Sequence, residues 1–123
     1  MGGAVLIVDD EDYIRRILCF KLERAGFATL EAPSAEAAEH ILEHHDVHLM
    51  LLDVGLATST SGFDLAARLR KNARTERLPI ILVTARGFAA DVLRGREVGA
   101  AGYITKPFST DEVISRVRAI LGD

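Results

Sequence analysis

The sequence predicts an α/β domain: one parallel sheet of five strands, with right-handed crossovers and helices on both faces. Three observations predict it. Short, continuously apolar runs recur along the chain, as in strands buried on both faces. Each run is followed by a segment whose apolar residues recur at three and four positions, as in an amphipathic helix. The 123 residues, 49% of them hydrophobic, suffice for one domain with its own core.

The first two strand and helix pairs occupy the first 45 residues. A strand over residues 4–8 precedes a helix over residues 11–25, which Gly26 ends as a residue suited to the left-handed conformation. A weaker strand over residues 27–32 precedes a helix that begins after Ser34. The buried stripe of this second helix is predicted to comprise Ala35, Ala38, Ile41 or Leu42, and His45.

The remaining three pairs complete the pattern. The strand over residues 47–52 leads directly to Asp53, and the small polar segment 54–61 precedes a helix from Gly62 to near Ala73. The strand over residues 80–83 is followed by a helix over residues 88–98. Gly95 lies inside that helix at a cost of about 1 kcal/mol relative to alanine, which predicts a mobile or plastic element. A short strand over residues 103–105 precedes a last helix that Ser109 caps.

Composition limits the function. The 15 Lys and Arg against 18 Asp and Glu give a net charge of −3, so we expect no direct nucleic-acid binding. Cys19 is the only cysteine, so no internal disulfide or four-sulfur metal site is possible, and we interpret it as a small apolar core residue. No stretch is long enough for a membrane span, and a cytoplasmic protein is expected. Residues 1–3 are expected to be disordered or an addition to the native chain.

Polar side chains follow four of the five predicted strands. Because the carboxyl ends of parallel strands meet at one edge of a sheet, these side chains are expected to converge. Three carboxylates and one ammonium sum to −2, and like charges in a shared cleft raise one another's pKa unless a cation joins them. Oxygen ligands favour Mg²⁺, or Mn²⁺ in its place. The residues are Asp9 and Asp10, Asp53, Thr84 and Lys106.

This set suits the binding of a phosphoryl group. A divalent cation and an ammonium neutralise its oxygens, a hydroxyl donates to another oxygen, and an in-line carboxylate acts as nucleophile. Asp53 is the best nucleophile candidate if its strand lies beside the first one, because it then stands between the acidic pair and the Thr84 and Lys106 side. The product would be an acyl phosphate on Asp53.

Five motifs in this order resemble the receiver domain of response regulators (CheY-like) of two-component signal transduction, and the resemblance covers essentially the whole chain. It implies a three-layer, flavodoxin-like (βα)5 sheet in the order 2-1-3-4-5 and a single receiver domain over residues 1–123, with no output domain. The motifs are residues 5–11, Asp53, residues 62–65, residues 83–85 and residues 99–108.

The resemblance also implies roles for individual residues. Asp10 would bind Mg²⁺ directly, Asp9 through water, and Gly55 through its backbone carbonyl, while Asp53 would be the phospho-acceptor. Thr84 and Lys106 would hold the phosphoryl oxygens, and the small Ala85 would leave the site open. A cis Lys106–Pro107 peptide bond would direct the lysine inward. Tyr103 matches the aromatic residue that moves inward with the hydroxyl residue.

The implied mechanism is a population shift. The acyl phosphate would favour one arrangement of the Thr84 loop, the following helix and Tyr103, and so alter the face formed by the fourth helix, fifth strand and fifth helix. The implied partners are a sensor histidine kinase or a histidine phosphotransfer protein, and a downstream protein of unknown identity. Beyond self-catalysed phosphorylation and dephosphorylation, no enzyme activity is expected.

Two stretches depart from the family pattern. Ala57 replaces the usual proline, and Gly62 comes one residue later than usual, which predicts a longer and more flexible loop. Gly55 has no side chain to shield an acyl phosphate, and Arg86 is a candidate modulator of the site. The receivers of winged-helix transcription regulators dimerise through salt bridges on the face of the fourth and fifth helices. Ala101 and Gly102 stand where those regulators usually carry two acids, which argues against that interface in this chain. A monomer or a weak, phosphorylation-dependent dimer is expected.

Two other functions compete with this one. A receiver fold kept as a phosphorylation-independent binding or dimerisation scaffold would predict an eroded site, yet all five site residues are present. A phosphohydrolase of the haloacid-dehalogenase type needs a second acid two residues after its nucleophile, where Gly55 stands.

Three further features have plain structural interpretations. Glu11 is interpreted as first-turn charge. The four histidines His40, His44, His45 and His48 are interpreted as a solvated helix end, because no carboxylate or cysteine completes a closed metal site with them. The basic residues Arg68, Arg70, Lys71 and Arg74 are likewise interpreted as a solvated helix end, with a partner contact as the alternative.

Overall fold

The computed structural model describes residues 3–56, 60–85 and 89–122, with the backbone only for residues 89–91. Met1 and Gly2, for which disorder was predicted, lie outside the described residues. Strands and helices alternate along the chain: β1 (Ala4–Val8), α1 (Asp12–Arg24), β2 (Ala28–Ala32), α2 (Ala35–His44), β3 (Leu49–Asp53), α3 (Gly62–Arg70), β4 (Ile80–Thr84), α4 (Ala89–Glu97), β5 (Gly102–Thr105) and α5 (Thr110–Leu121).

The strands form one parallel sheet in the order β2-β1-β3-β4-β5. This confirms the predicted architecture and strand order. Val8 pairs with both Ala32 and Leu52, and Asp53 pairs with Val83 on the next strand. The strand ends are therefore in register, and the residues that follow them lie at one edge of the sheet.

Two hydrophobic cores lie on opposite faces of this sheet. Successive side chains of a strand point to opposite faces, so Leu6 belongs to the core under α2 and α3, while Ile7 belongs to the core under α1 and α5. Both β3 and β4 are buried along their whole length. Cys19 lies in the second core, where burial raises the pKa of its thiol.

Serine side chains cap the starts of three helices, two of which, at Ser34 and Ser109, the sequence predicted. The Ser34 hydroxyl accepts a hydrogen bond from the Ala37 amide at 3.1 Å, and the Ser109 hydroxyl accepts one from Glu112 at 3.0 Å. At α3, Ser61 and Asp64 form a reciprocal capping box. None of the helices in the described part of the chain is long and apolar enough to cross a bilayer.

Two predicted helix ends are wrong. His45 is not buried, because α2 ends at His44 and the backbone of His45 is extended, which leaves the side chain exposed. The third helix ends at Arg70 rather than near Ala73. There the Thr75 hydroxyl donates to the Leu69 carbonyl at 2.7 Å, which satisfies a backbone acceptor of the last helical turn from outside the helix.

Arg70 also departs from the prediction of a solvated helix end. Its side chain is half-buried, and burial lowers the pKa of the guanidinium. The guanidinium donates to four backbone carbonyls in two separate loops: Val98 at 2.7 Å, Gly99 at 3.1 Å, Glu76 at 3.1 Å and Thr75 at 3.2 Å. Arg70 therefore ties the end of α3 to the segment that follows α4.

Candidate functional site

Three carboxylates meet at the carboxyl edge of the sheet. Asp9 and Asp10 follow β1, and Asp53 ends the neighbouring strand β3. One oxygen from each lies within 4.8 Å of the others. Asp9 and Asp53 are 3% and 6% exposed, whereas Asp10 faces solvent. The structure thus brings together the acidic residues that the sequence placed after separate strands.

Lys106 reaches this carboxylate cluster from the end of β5. Its Nζ lies 3.0 Å from Asp9 Oδ2 and 3.3 Å from Asp53 Oδ2, with the exposed Glu11 carboxylate at 3.4 Å. The peptide bond between Lys106 and Pro107 is cis, the isomer that the resemblance implies. The ammonium therefore lies between the two buried carboxylates.

The buried carboxylates share one hydrogen-bonding pattern. Asp9 Oδ1 accepts from the amide of Glu11 at 2.9 Å, and Asp53 Oδ1 accepts from the amide of Gly55 at 3.0 Å. In both cases the donor lies two residues further on, while Oδ2 faces Lys106. Each carboxylate is thus held by its own backbone before any ligand binds, which fixes its orientation.

Burial and charge set the protonation of this cluster. Burial raises the pKa of Asp9, and the charge of Asp53 adds to this rise against the hydrogen bonds from Glu11 and Lys106. For Lys106, burial alone lowers the pKa, but its hydrogen bonds to Asp9 and Asp53 and their charges outweigh burial. The pKa of the ammonium is therefore raised. With all four groups ionised the cluster keeps a charge of −2, which favours a further cation.

Helix α3 begins directly against the end of β3. A Cβ at Gly62 would lie 2.3 Å from the backbone oxygen of Asp53 and 2.7 Å from the Cα of Val54. The Gly62 amide donates to the Val54 carbonyl at 3.2 Å. The sequence predicted Gly62 as the start of a helix and as part of a family motif, whereas this close approach depends on a contact that periodicity does not report.

Arg15 is a site neighbour that the sequence reasoning missed. It is 9% exposed, its guanidinium donates to the backbone carbonyl of Asp9, and it pairs with Asp12 and Glu31. A signal for it exists in the sequence. Arg15 occupies the buried face of α1 three residues before Leu18, and a charged residue on an apolar face is rarely buried unless it is paired.

Thr84 and Tyr103 lie on the opposite side of Asp53 from β1. Thr84 ends β4 and is 5% exposed, and its carbonyl accepts from the Lys106 amide at 2.7 Å. The half-buried Tyr103 donates through its hydroxyl to the Val92 carbonyl of α4 at 2.8 Å. Tyr103 therefore packs directly against α4 in this structure.

The remaining candidates surround the cluster or lie outside the described residues. Two of the candidates, Gly55 and Ala85, directly follow Asp53-Val54 and Thr84 in the chain and are exposed. Ala57, at the position of the usual proline, and Arg86, the candidate modulator, lie outside the described residues.

The interpretation of the histidines needs a correction. Glu43, a carboxylate that the sequence reasoning did not place there, lies with His40 and His44 on the exposed face of α2. His45 and His48 do not belong to this group, and His48 accepts a hydrogen bond from the amide of Ala4 at 2.9 Å. His40 and His44 therefore form a separate group with Glu43, to which His45 and His48 do not belong.

Comparisons with known proteins found matches over nearly the whole chain. The family model of the response regulator receiver domain matches residues 5–118. The chain is 42% identical over 121 residues to the phosphate regulon transcriptional regulatory protein PhoB of Pseudomonas aeruginosa, covering 98% of this chain and 52% of that protein. It is 41% identical to the transcriptional regulatory protein SrrA of Staphylococcus aureus, covering 98% and 48%. The chain thus spans about half the length of these relatives.

Solved structures share the fold. The non-phosphorylated HemR receiver domain of Leptospira biflexa is 31% identical with a TM-score of 0.87, over 96% of this chain and 93% of that one. The chemotaxis protein CheY4 of Vibrio cholerae is 24% identical with a TM-score of 0.92, over 98% and 100%, which supports the fold alone. The chain therefore belongs to the response regulator receiver domain family, the phosphorylation-controlled domains of two-component signalling.

Proposed function

We propose that Asp53 is the phospho-acceptor of this receiver domain and that its phosphorylation depends on Mg²⁺. The observation that carries the proposal is the position of the Lys106 ammonium, whose Nζ lies 3.0 Å from Asp9 Oδ2 and 3.3 Å from Asp53 Oδ2, both of them buried carboxylates. Asp53 is the most suitable nucleophile of the cluster, since it ends a central strand and its Oδ1 is already held by the Gly55 amide.

The donor set of the cluster fits a hard divalent cation. Its three carboxylates supply oxygen only, and none of the described histidines or the cysteine belongs to the group. Asp9, Asp10 and Asp53, with the backbone carbonyl of Gly55, would hold Mg²⁺, or Mn²⁺ in its place. When bound, the cation neutralises charge on the phosphoryl oxygens. The exposure of Asp10 leaves the site open to solvent.

The transfer step itself is a displacement at phosphorus. A carboxylate oxygen of Asp53 attacks the phosphorus of a phosphohistidine, the phosphorus–nitrogen bond breaks, and its electron pair returns to the imidazole of the donor. Lys106 holds one phosphoryl oxygen through its ammonium, and the Thr84 hydroxyl donates to another. Hydrolysis reverses the modification when water attacks the phosphorus and the Asp53 carboxylate leaves. Both steps are catalysed by this domain itself.

The output is a change in the face formed by α4, β5 and α5. Thr84 and Tyr103 lie on neighbouring strands, and the Tyr103 hydroxyl already contacts α4 at Val92. Movement of Thr84 toward a phosphoryl group changes the space available to Tyr103 and α4, and thereby the surface that a partner binds. Receiver domains of this family partner with histidine kinases. We propose a sensor histidine kinase or phosphotransfer protein as the cytoplasmic donor and a protein as the downstream partner.

A mass measurement tests the acceptor. The chain is incubated with acetyl phosphate and Mg²⁺, and the intact mass is followed with time. Wild type and Asp64→Asn, which removes a carboxylate outside the cluster, are expected to gain one phosphoryl group, whereas Asp53→Asn is expected to gain none. Equal gain by Asp53→Asn, or no gain by wild type, would contradict the proposal.

A second variant tests the role of Lys106. Lys106→Ala is expected to keep its Mg²⁺ binding, since the carboxylates remain, but to lose the conformational response to beryllofluoride. The readout is the fluorescence of Tyr103 in a Tyr13→Phe background, because the chain contains two tyrosines and no tryptophan. A full fluorescence response in Lys106→Ala would show that the lysine is dispensable for the switch.

A further inference from the structure

Helix α2 carries a second group of possible metal ligands on its exposed face. His40, Glu43 and His44 each offer one ligand atom, and these atoms lie within 4.8 Å of one another. The spacing of three and four residues places them on one side of the helix. The two imidazole ring centroids are 4.5 Å apart. The three side chains are therefore already close enough to bind one ion together.

A backbone contact orients one ring and selects its tautomer. The Nδ1 of His44 lies 2.8 Å from the backbone oxygen of His40. A carbonyl oxygen can only accept a hydrogen bond, so Nδ1 carries a hydrogen, and in the neutral ring Nε2 then holds the lone pair. This is the arrangement in which histidine ligands of metal sites are oriented, with the second ring nitrogen bound to a carbonyl. The Nε2 of His44 is therefore the ring nitrogen that remains to bind a metal ion.

We propose that His40, Glu43 and His44 form a surface site for a divalent transition-metal ion of the Zn²⁺ class. Two imidazoles and one carboxylate match the ligand preference of Zn²⁺, which distinguishes this site from the oxygen-only cluster around Asp53. The group lies in the last two turns of α2, where the negative end of the helix dipole favours a bound cation. Solvent or a further donor completes the coordination at this exposed position.

The site is independent of the proposed phosphorylation. Helix α2 returns from the carboxyl end of β2 toward the amino end of β3, so its last turns lie at the sheet edge opposite Asp53. Failure of zinc binding would therefore leave the acceptor role of Asp53 untouched, and the reverse also holds.

Calorimetric titration with Zn²⁺ tests the proposal. Mg²⁺ is kept in large excess so that the carboxylate cluster at the other edge does not contribute. Wild type is expected to bind one zinc ion per chain, and His40→Gln, Glu43→Gln and His44→Gln are each expected to weaken binding at least tenfold. The matched control is His45→Gln, an exposed histidine one residue beyond the helix and outside the group. It is expected to bind zinc like wild type.

Thermal unfolding gives a second readout. The proposed ion contacts three residues that come together only in the folded helix. Because it binds the folded state and not the unfolded state, it raises the temperature midpoint of unfolding. Zinc is therefore expected to raise the midpoint of wild type and of His45→Gln, but not that of His44→Gln. Circular dichroism of His44→Gln without zinc is the control that this variant is folded. Absence of zinc binding by wild type, undiminished binding by His40→Gln or His44→Gln, or an equal loss in His45→Gln would overturn the assignment.

Discussion

Replacement of Gly95 by alanine separates helix propensity from tertiary packing at α4. Gly95 lies within the helix and is buried. On propensity alone, alanine would stabilise the helix by about 1 kcal/mol. Yet a Cβ at this position would lie 2.1 Å from the Tyr103 hydroxyl oxygen and 2.4 Å from its Cε1. Because these atoms are the far end of a side chain, we expect Tyr103 to move away while the helix stays intact.

The size of the effect follows from the contacts that Tyr103 would lose. Its hydrogen bond to the Val92 carbonyl is worth about 1 kcal/mol. Re-exposing about 50 Å² of ring, a quarter of what a buried tyrosine covers, costs about 1 kcal/mol more. Against the propensity gain, Gly95→Ala is expected to be about 1 kcal/mol less stable than wild type. In a Tyr103→Ala background the same change is expected to stabilise by about 1 kcal/mol.

A double-mutant cycle measures this difference of about 2 kcal/mol. Urea unfolding followed by circular dichroism gives the free energy of unfolding of the four variants. Acrylamide quenching of Tyr103 in a Tyr13→Phe background reports whether the ring becomes exposed in Gly95→Ala. If Gly95→Ala stabilises the protein equally with and without Tyr103, the steric account of this glycine is refuted.

Two further predictions concern the start of α3. Gly62→Ala places a methyl group against the backbone of Asp53 and Val54, neither of which can rotate away, so we expect a loss of about 1–3 kcal/mol in the free energy of unfolding. An unchanged urea midpoint would contradict that close approach. The backbone and side-chain hydrogen bonds of Ser61 lower the pKa of Asp64. Because its pKa is lowered, the ionised Asp64 contributes its full stability at pH values above its ordinary pKa. This contribution is lost as the pH falls through the pKa that Asp64 has in the folded state. The difference in urea midpoint between wild type and Asp64→Asn should therefore shrink between neutral pH and about pH 3, and a difference that stays constant would argue against the capping role of the ionised carboxylate.

The strands and the convergence of the site were predictable from sequence because both depend on local patterns. Continuous apolar runs mark buried parallel strands, and the register of a parallel sheet brings Asp9, Asp53 and Lys106 to one edge. The order of the strands came from the resemblance to a family, since periodicity alone does not say which strands are neighbours.

Residues whose roles depend on tertiary contacts were not predictable in the same way. Gly95 read as a weakness of its helix, whereas the structure explains it by the tyrosine that fills the space of its missing side chain. Arg70 was interpreted as part of a solvated helix end, but its guanidinium donates to backbone carbonyls instead. Thr75 ends α3 through a hydroxyl contact six residues away. Each role is set by a neighbour that approaches only after the chain has folded.

The hydrogen bonds of Arg70 make the two ends of α4 mechanically unequal. They hold Val98 and Gly99, just beyond the last helical turn, to the end of α3. If α4 is displaced while these hydrogen bonds persist, the displacement is a rotation about a pivot at that end. The helix has nine residues, which at about 1.5 Å per residue gives a lever of about 13 Å. A rotation of about 10° then moves the far end of the helix, at Ala89, by about 2 Å while the pivot stays in place.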